Sequence, residues 1–184
     1  MIIGLTGYGE SGKDTIADYL VQEFGFTKWV FSDLLGELLS SIECEDTKDY
    51  RSKLGVALRK TSGFQNILAM MLSNRIKGLD DIVITGFRSP EEVSQFRADH
   101  NDRFKLIYVE RSLEKRYASR RDQKTTMEDI KKRDERDGAG MGLDKIIHNQ
   151  MYNLKIINEN SREELLSETA LIIAKLGYGP RKAL

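Results

Sequence analysis

Blocks of apolar residues alternate along the chain with amphipathic stretches, and this pattern predicts strands and helices in turn. Short apolar runs predict five strands, at residues 1–6, 26–31, 82–85, 104–109 and 154–157. Between them, apolar residues recur at helical spacing, as in Ile16, Leu20 and Phe24. Strands that alternate with helices indicate a three-layer α/β domain around a mainly parallel sheet. A chain of 184 residues suits one such domain, spanning 1–184.

Polar residues and glycines mark helix ends. Ser or Thr followed three residues later by Glu is the spacing of a capping box, here Ser89 with Glu92, Thr125 with Glu128, and Ser161 with Glu164. Ser112 is a further candidate cap, and the glycines at 138, 140 and 142 predict a flexible break. Two segments contain no predicted strand, 34–77 and 111–142, and we treat them as inserts. The first is helical, with breaks near 43–47 and Gly63.

The segment Gly7-Tyr8-Gly9-Glu10-Ser11-Gly12-Lys13 matches G-x-x-x-x-G-K and lies between the first predicted strand and the first predicted helix. Such glycines let successive backbone N–H groups point at one anion, and the helix N-terminus adds a positive dipole end. Lys13 supplies a cation for the β- and γ-phosphates. The segment therefore predicts a phosphate-binding loop for a nucleoside triphosphate, which we take to be ATP.

The position after Lys13 departs from this motif, where a Ser or Thr hydroxyl normally ligates Mg²⁺. This chain has Asp14 there, followed by Thr15. A carboxylate is a good Mg²⁺ ligand, so Asp14 is our candidate metal residue. Alternatively, Asp14 only caps the helix, and the phosphates and water hold the metal.

Cationic residues after the fourth strand are candidates for stabilising a transferring phosphoryl group. They are Arg116, Arg120 and Arg121, of which the first two share one helix face at i, i+4. We interpret the later charges, Lys131 to Arg136 with Asp134 and Glu135 among them, as a solvated helix face. The hinged segment as a whole has the composition of a closing lid.

Acceptor-site candidates follow the second and third strands, because strand C-terminal ends face the ligand crevice in such sheets. Arg88 is placed to contact an acceptor phosphate, or else pairs with Glu91 or Glu92. Asp33 is placed to ligate Mg²⁺ or accept a proton, or else caps a helix. Arg51 and Arg59 in the first insert are candidates for an acceptor clamp, or else helix-surface arginines.

The amino-acid composition limits the classes of binding partner that we expect. Lys plus Arg equals Asp plus Glu, at 29 each, so the chain lacks the basic bias of a nucleic-acid binder. No apolar run approaches the length of a membrane span, no signal peptide is evident, and we expect a cytoplasmic protein. Cys44 is the only cysteine, which excludes an internal disulfide.

Two motifs of other nucleotide-binding proteins are absent. The third strand ends in Thr85 rather than Asp, and no N-K-x-D segment occurs. Both absences argue against a switch GTPase and a motor ATPase.

The segment GLTGYGESGKDTIADYL resembles the phosphate loop of nucleoside monophosphate kinases and of dephospho-coenzyme A kinases, and GKDT-x-AD resembles bacteriophage-type deoxynucleoside monophosphate kinases. The segments ITGFRSPEEVSQFR, RDERDGAGMGLDKI and IINENSREEL resemble an archaeal group of predicted nucleotide kinases. Together these segments span almost the whole chain.

This resemblance implies a five-stranded parallel sheet in the order 2-3-1-4-5, with an acceptor-binding insert and a lid. It implies that Arg51, Arg59 and Arg88 lie near the acceptor phosphate and that Arg116 and Arg120 lie in the lid over ATP. It also implies adenine contacts around Asn158 and Asn160. Members of these families carry Asp-Gly where this chain has Thr85-Gly86.

Two functional hypotheses follow from these features. The first is a kinase that uses Mg²⁺ and ATP to phosphorylate a small nucleotide-like acceptor, through Lys13, Asp33, Arg88, Arg116 and Arg120. The second is an ATP-responsive binding module that transfers no phosphoryl group efficiently. A polynucleotide end kinase is a third possibility, which the balanced charge disfavours.

Overall fold

The computed structural model describes residues 1–120 and 125–179. Five strands form one parallel sheet in the order β2-β3-β1-β4-β5, which confirms the predicted architecture and strand order. The strands are β1 (Ile2–Thr6), β2 (Thr27–Val30), β3 (Ile82–Phe87), β4 (Phe104–Glu110) and β5 (Leu154–Ile157).

Helices cover both faces of this sheet. They are α1 (Lys13–Phe24), α2 (Phe31–Ser41), α3 (Lys48–Ser62), α4 (Ile67–Arg75), α5 (Pro90–His100), α6 (Leu113–Ala118), α7 (Met127–Glu135), α8 (Leu143–His148) and α9 (Arg162–Lys175). A 3₁₀ turn spans Asn101–Arg103 and a π-helical turn spans Arg136–Gly140. No described helix is both long and apolar enough to cross a membrane.

Two hydrophobic clusters lie on opposite sides of the sheet, because neighbouring residues of a strand point to opposite faces. Ile2 belongs to the cluster that α2, α4, α5 and α8 cover, and Ile3 belongs to the cluster that α1 and α9 cover. Every residue of β1 is buried, as expected for a strand covered on both faces. This central strand carries the phosphate-binding loop at its end.

Two of the four predicted helix caps form as expected, at Ser89 and at Ser161, whose side chain accepts from the Glu164 N–H at 3.2 Å. Ser89 and Glu92 form a complete capping box at the start of α5. The predicted box of Thr125 with Glu128 is wrong by one residue, because Thr126 and Asp129 make both bonds and α7 begins at Met127. The Ser112 side chain makes no cap hydrogen bond and instead donates to Glu159, at 2.8 Å.

The glycine-rich segment at 138–142, predicted as a flexible break, adopts a defined backbone conformation. It forms the π-helical turn, with the Met141 N–H donating to the Arg136 carbonyl at 2.9 Å, and leads into α8. A Cβ atom on Gly138 would lie 2.6 Å from Asp144 Oδ2 and 2.8 Å from the Tyr8 hydroxyl. Close packing therefore favours glycine at position 138.

Sheet register brings three loops together. Thr6 at the end of β1 pairs with Phe87 on β3 and with Tyr108 on β4. The residues that follow these strands therefore share one edge of the sheet, and they include Gly7, Arg88 and Arg111. This edge carries the candidate site.

Candidate active site

The phosphate-binding loop has the compact conformation that its glycines predict. Gly7 has φ +138°, and a Cβ atom on it would collide with the Val109 carbonyl oxygen of β4. L-residues rarely adopt this conformation, so position 7 requires glycine both for its backbone angle and for its neighbour. The loop leads directly into α1, whose first residue is Lys13.

A buried asparagine supports the loop from behind. Asn158 Nδ2 donates to the Ser11 carbonyl at 2.8 Å, and a Cβ atom on Gly12 would lie 2.5 Å from that Nδ2. Asn158 was expected near adenine, but its amide is committed to the loop backbone. The other expected adenine contact, Asn160, is an exposed residue in the loop that precedes α9.

Lys13 bends back over the loop. Its Nζ donates to the Tyr8 carbonyl at 2.5 Å and to Ser11 Oγ at 3.2 Å. Burial lowers the pKa of Lys13 to about 8; the positive charges of Arg88 and Arg133 contribute to this shift, and Asp14 and Asp137 oppose it. A bound anion would reverse this effect by favouring the ammonium form.

The loop forms one wall of a cavity of about 410 Å³. Five of the six other residues of the loop line it with Lys13, Tyr8 being the exception, and Asp14 and Thr15 line it as well. The remaining lining residues are Val30, Phe31, Ser32, Thr85, Gly86, Arg88, Arg111, Ser119 and Arg133. The cavity therefore lies at the carboxyl ends of β1, β2, β3 and β4.

Four cationic side chains from separate parts of the chain line this cavity: Lys13, Arg88, Arg111 and Arg133. Arg133 belongs to α7, and its guanidinium lies over Gly9, where a Cβ atom would meet Arg133 Cζ at 2.7 Å. The solvated-face interpretation is therefore wrong for Arg133, although Lys131 and Lys132 are exposed as expected. The convergence of positive charge suits a polyphosphate.

Arg88 does not pair through its side chain with Glu91 or Glu92. Its Nε lies 3.5 Å from Asp137 Oδ2, while its backbone N–H donates to Glu92 Oε2 at 2.9 Å. The side chain is thus held at the cavity by a carboxylate from the π-helical turn. The glutamate has a separate role, capping the start of α5.

Tyr8 points away from the cavity, towards the segment that follows α7. Its hydroxyl donates to Asp144 Oδ1 on α8, and the Arg116 guanidinium lies 5.2 Å from its ring centre. Burial and the bond to Asp144 raise the pKa of Tyr8. Tyr8 therefore ties the phosphate-binding loop to the second insert.

Arg116 and Arg120 were expected over the nucleotide, but neither lines the cavity. Arg116 is buried and forms an ion pair with Asp134 through two nitrogens. Arg120 Nη1 lies 3.3 Å from Glu10 Oε1, and Arg133 Nη1 lies 3.8 Å from the same oxygen. A carboxylate of the phosphate-binding loop thus faces two arginines of the second insert. Arg121 lies outside the described residues.

The two arginines of the first insert that were predicted to bind the acceptor form ion pairs with carboxylates. Arg51 pairs with Asp46 through two nitrogens, at 2.5 and 2.6 Å, and with Asp33 at 3.0 Å. Arg59 pairs with the buried carboxylate of Glu92 at 3.1 Å. The structure brings Asp33 and Arg51 together, but neither they nor Arg59 line the cavity, whereas Ser32 beside Asp33 does.

Asp14 and Thr15, the oxygen-bearing residues that directly follow Lys13, both line the cavity. The Asp14 side chain is 75% exposed, and its carboxylate lies 3.4 Å from Lys28 Nζ. Within residues 1–120 and 125–179, no three His, Cys, Asp or Glu side chains cluster so as to hold a metal by themselves.

Arg111, Arg133 and Asp137 were missing from the sequence-based site. Arg111 directly follows β4, as Arg88 follows β3, so the rule that singled out Arg88 also applies to it. For Arg133 and Asp137, their i, i+4 spacing immediately before the glycine-rich turn was the available signal. This spacing was hard to recognise because other charged residues surround Arg133 and Asp137 in the sequence.

Comparison with solved structures shows that several small-molecule kinases share this fold. A shikimate kinase from Acinetobacter baumannii in complex with shikimate aligns with a TM-score of 0.61 and 13% identity, over 95% of this chain and 93% of that chain. A gluconokinase from Sinorhizobium meliloti aligns with a TM-score of 0.60 and 13% identity, over 95% and 91%. These similarities establish the fold.

In sequence, the chain is similar to archaeal UPF0200 proteins. It is 29% identical over 189 residues to one from Thermococcus kodakarensis, covering 96% of this chain and 98% of that protein. It is 28% identical over 183 residues to a UPF0200/UPF0201 protein from Archaeoglobus fulgidus, of which the match covers only 55%. No family model matches the chain. The predicted resemblance to an archaeal group of proteins is confirmed.

Proposed function

We propose that this protein is a phosphotransferase that moves the γ-phosphoryl group of ATP to a small nucleotide-like acceptor. The observation that carries the proposal is the convergence of Lys13, Arg88 and Arg133 on one cavity whose wall is a phosphate-binding loop. Phosphoryl transfer depends chiefly on positioning and on charge stabilisation, and these side chains supply both. The kinase fold of the structural neighbours supports the same reaction class.

In the reaction, the bond between the γ-phosphorus and the bridging oxygen breaks, and a new bond forms to an acceptor oxygen. ADP leaves with the bond electrons, and a hydroxyl acceptor loses its proton. Lys13 would hold the β- and γ-phosphates, while Arg88 and Arg133 would stabilise the group in transit. We propose that Arg116 positions the second insert through Asp134, and that Arg120 contributes positive charge beside Glu10.

Magnesium fits the donor set, because Asp14 and Thr15 supply hard oxygen ligands at the cavity beside the expected phosphates. When bound, Mg²⁺ would neutralise charge on the β- and γ-phosphate oxygens. We propose that the ion takes most of its ligands from phosphate and water, with Asp14 and Thr15 as the protein's contribution.

The acceptor would occupy the side of the cavity that β2 and β3 form, next to Val30, Ser32 and Arg88. The insert at 34–77 would shape this side, and the insert at 111–142, which contributes Arg133, would act as the lid. We propose a nucleoside or deoxynucleoside monophosphate, or dephospho-coenzyme A, as acceptor. We also propose that the protein is cytoplasmic.

An ATP-responsive binding module is the alternative, and two observations favour it. The end of β3 carries the buried Thr85 where the resembled kinases have a carboxylate. The charge of Asp33 is moreover matched by Arg51. Such a protein would bind ATP and close on it without rapid transfer.

The test is ADP formation from Mg-ATP with a panel of nucleoside monophosphates, deoxynucleoside monophosphates and dephospho-coenzyme A. Shikimate and gluconate join the panel because the structural neighbours act on them by name. We expect one acceptor to stimulate turnover strongly in the wild type and not in Lys13→Ala. Lys131→Ala, an exposed lysine of α7 outside the cavity, is the matched control and should behave like wild type. ATP binding that depends on Lys13, without stimulation by any acceptor, would favour the binding module.

A further inference from the structure

Asp137 is a buried carboxylate surrounded by three arginines. Its side chain is 3% exposed and belongs to the π-helical turn that follows α7. Oδ2 lies 3.5 Å from Arg88 Nε and 4.0 Å from Arg133 Nε, and Oδ1 lies 3.2 Å from Arg136 Nη2. A buried carboxylate is costly unless cations pair with it, so this arrangement constrains all four side chains.

Two of these arginines line the phosphate cavity, and they come from distant parts of the chain. Arg88 follows β3, whereas Arg133 lies on α7 in the second insert. Asp137 lies on the Nε side of both guanidinium groups. The terminal nitrogens of Arg133 lie over Gly9 of the phosphate-binding loop. Asp137 is therefore the point at which the β3 side of the cavity and the second insert are joined.

Without this carboxylate, two like charges facing one cavity would repel each other and sample several rotamers. A negative charge between them lowers that repulsion and fixes their directions. It also reduces the net positive charge that a ground-state anion meets. The two effects of Asp137 thus act in opposite directions: the charge weakens anion binding, whereas the fixed geometry favours a particular arrangement of phosphate oxygens.

We propose that Asp137 is a positioning residue that aims Arg88 and Arg133 at the phosphoryl group in transit. This inference rests on the proposed phosphotransferase function. Transition-state stabilisation requires accurate placement, because a displacement of about 1 Å can cost about a hundredfold in rate. Ground-state binding of a polyphosphate depends more on charge than on accurate placement.

The test is Asp137→Asn, which keeps the size of the side chain and removes its charge. We expect kcat to fall by about tenfold to a hundredfold, while the affinity for ATP stays the same or increases. Asp137→Glu retains the charge and should recover part of the lost kcat. Arg136→Gln is the matched control, because Arg136 also pairs with Asp137 but is exposed and outside the cavity; its kcat should stay within about twofold of wild type.

A second readout needs no turnover. ADP with aluminium fluoride and the acceptor imitates the phosphoryl group in transit, and its affinity can be measured by calorimetry. We expect Asp137→Asn to lose affinity for this complex but not for ATP. A parallel loss of both affinities, together with a lower melting temperature, would show a merely structural role and overturn the inference. Equal affinities of Asp137→Asn and wild type for the analogue would overturn it as well. If the wild type itself neither turns over any acceptor nor prefers the analogue, the proposed function fails first, and this inference fails with it.

Discussion

Arg116 and Asp134 form a two-point ion pair that joins α6 to α7. The Arg116 nitrogens lie 3.0 and 2.5 Å from the two Asp134 oxygens, and the arginine side chain is 5% exposed. The same guanidinium lies over the Tyr8 ring and donates to the Gly9 carbonyl at 3.3 Å. One side chain therefore connects both helices of the second insert to the phosphate-binding loop.

Replacing Arg116 by Met should destabilise the protein, because it leaves Asp134 largely buried without its partner. Breaking a buried ion pair in this way costs about 3 kcal/mol, measurable as a shift in urea unfolding. Lys53→Met, which removes a fully exposed pair with Asp49, is the control and should leave the unfolding curve unchanged. Equal behaviour of the two variants would show that the Arg116 pair is not structural.

Glycine at position 7 should be indispensable for nucleotide binding. Gly7→Ala would place a methyl group against the Val109 carbonyl oxygen in addition to straining a backbone with φ +138°. We expect this variant to lose measurable ATP affinity and part of its stability. Gly63→Ala is the control, because Gly63 also has positive φ, +75°, but open space where the methyl group would lie. Gly63→Ala should lower the free energy of unfolding by about 1 kcal/mol, the cost of the backbone strain alone. It should bind ATP as the wild type does.

ATP binding should weaken as pH rises above about 8. In the free protein, burial lowers the pKa of Lys13 to about 8, so the side chain is increasingly neutral above that pH. A bound phosphate favours the ammonium form, so binding must then take up a proton. Calorimetry at pH 8.5 in buffers of different ionisation enthalpy should detect this uptake in the wild type. Lys13→Arg, whose guanidinium stays charged, should show none; uptake of the same size in that variant would refute the assignment to Lys13.

Acid should destabilise the protein through His100, well away from the cavity. His100 Nε2 lies 3.0 Å from Ser73 Oγ, which donates to Asp99, and burial lowers the pKa of His100. The unfolded chain has the higher pKa, about 6.5, so it binds more protons in acid. Stability should therefore be complete above about pH 6.5 and decrease as pH falls through the folded-state pKa. His100→Asn should flatten this dependence in thermal unfolding between pH 7 and 5, whereas His148→Asn, at an exposed position, should not.

The sequence predicted the strands, the phosphate-binding loop and the caps of α5 and α9 because these features depend on local periodicity and spacing. Ile2 and Ile3 already show a strand buried on both faces, and Gly7 to Lys13 form a contiguous motif. The strand order came from the family resemblance, since no residue pattern states which strands pair. The order is nevertheless what brings Arg88 and Arg111 beside the loop.

Side-chain pairing was harder to predict, because it depends on partners distant in sequence. Arg59 lies in the first insert as expected, but Glu92, 33 positions away, engages it. Likewise Asn158 faces the Ser11 carbonyl across 147 positions. Arg133 and Lys132 are neighbours on one charged helix, yet only the first reaches the cavity. Which arginine faces a site is decided by helix rotation, which composition alone does not reveal.

Glu10 gives the phosphate-binding loop a counter-ion of its own. Its carboxylate faces Arg120 and Arg133, so a polyphosphate that approaches these arginines exchanges one anion for another. Salt that screens the incoming phosphates also screens the resident pair. Nucleotide affinity should consequently fall less steeply with ionic strength than in Glu10→Gln, whose arginines have no resident carboxylate in the loop to give up.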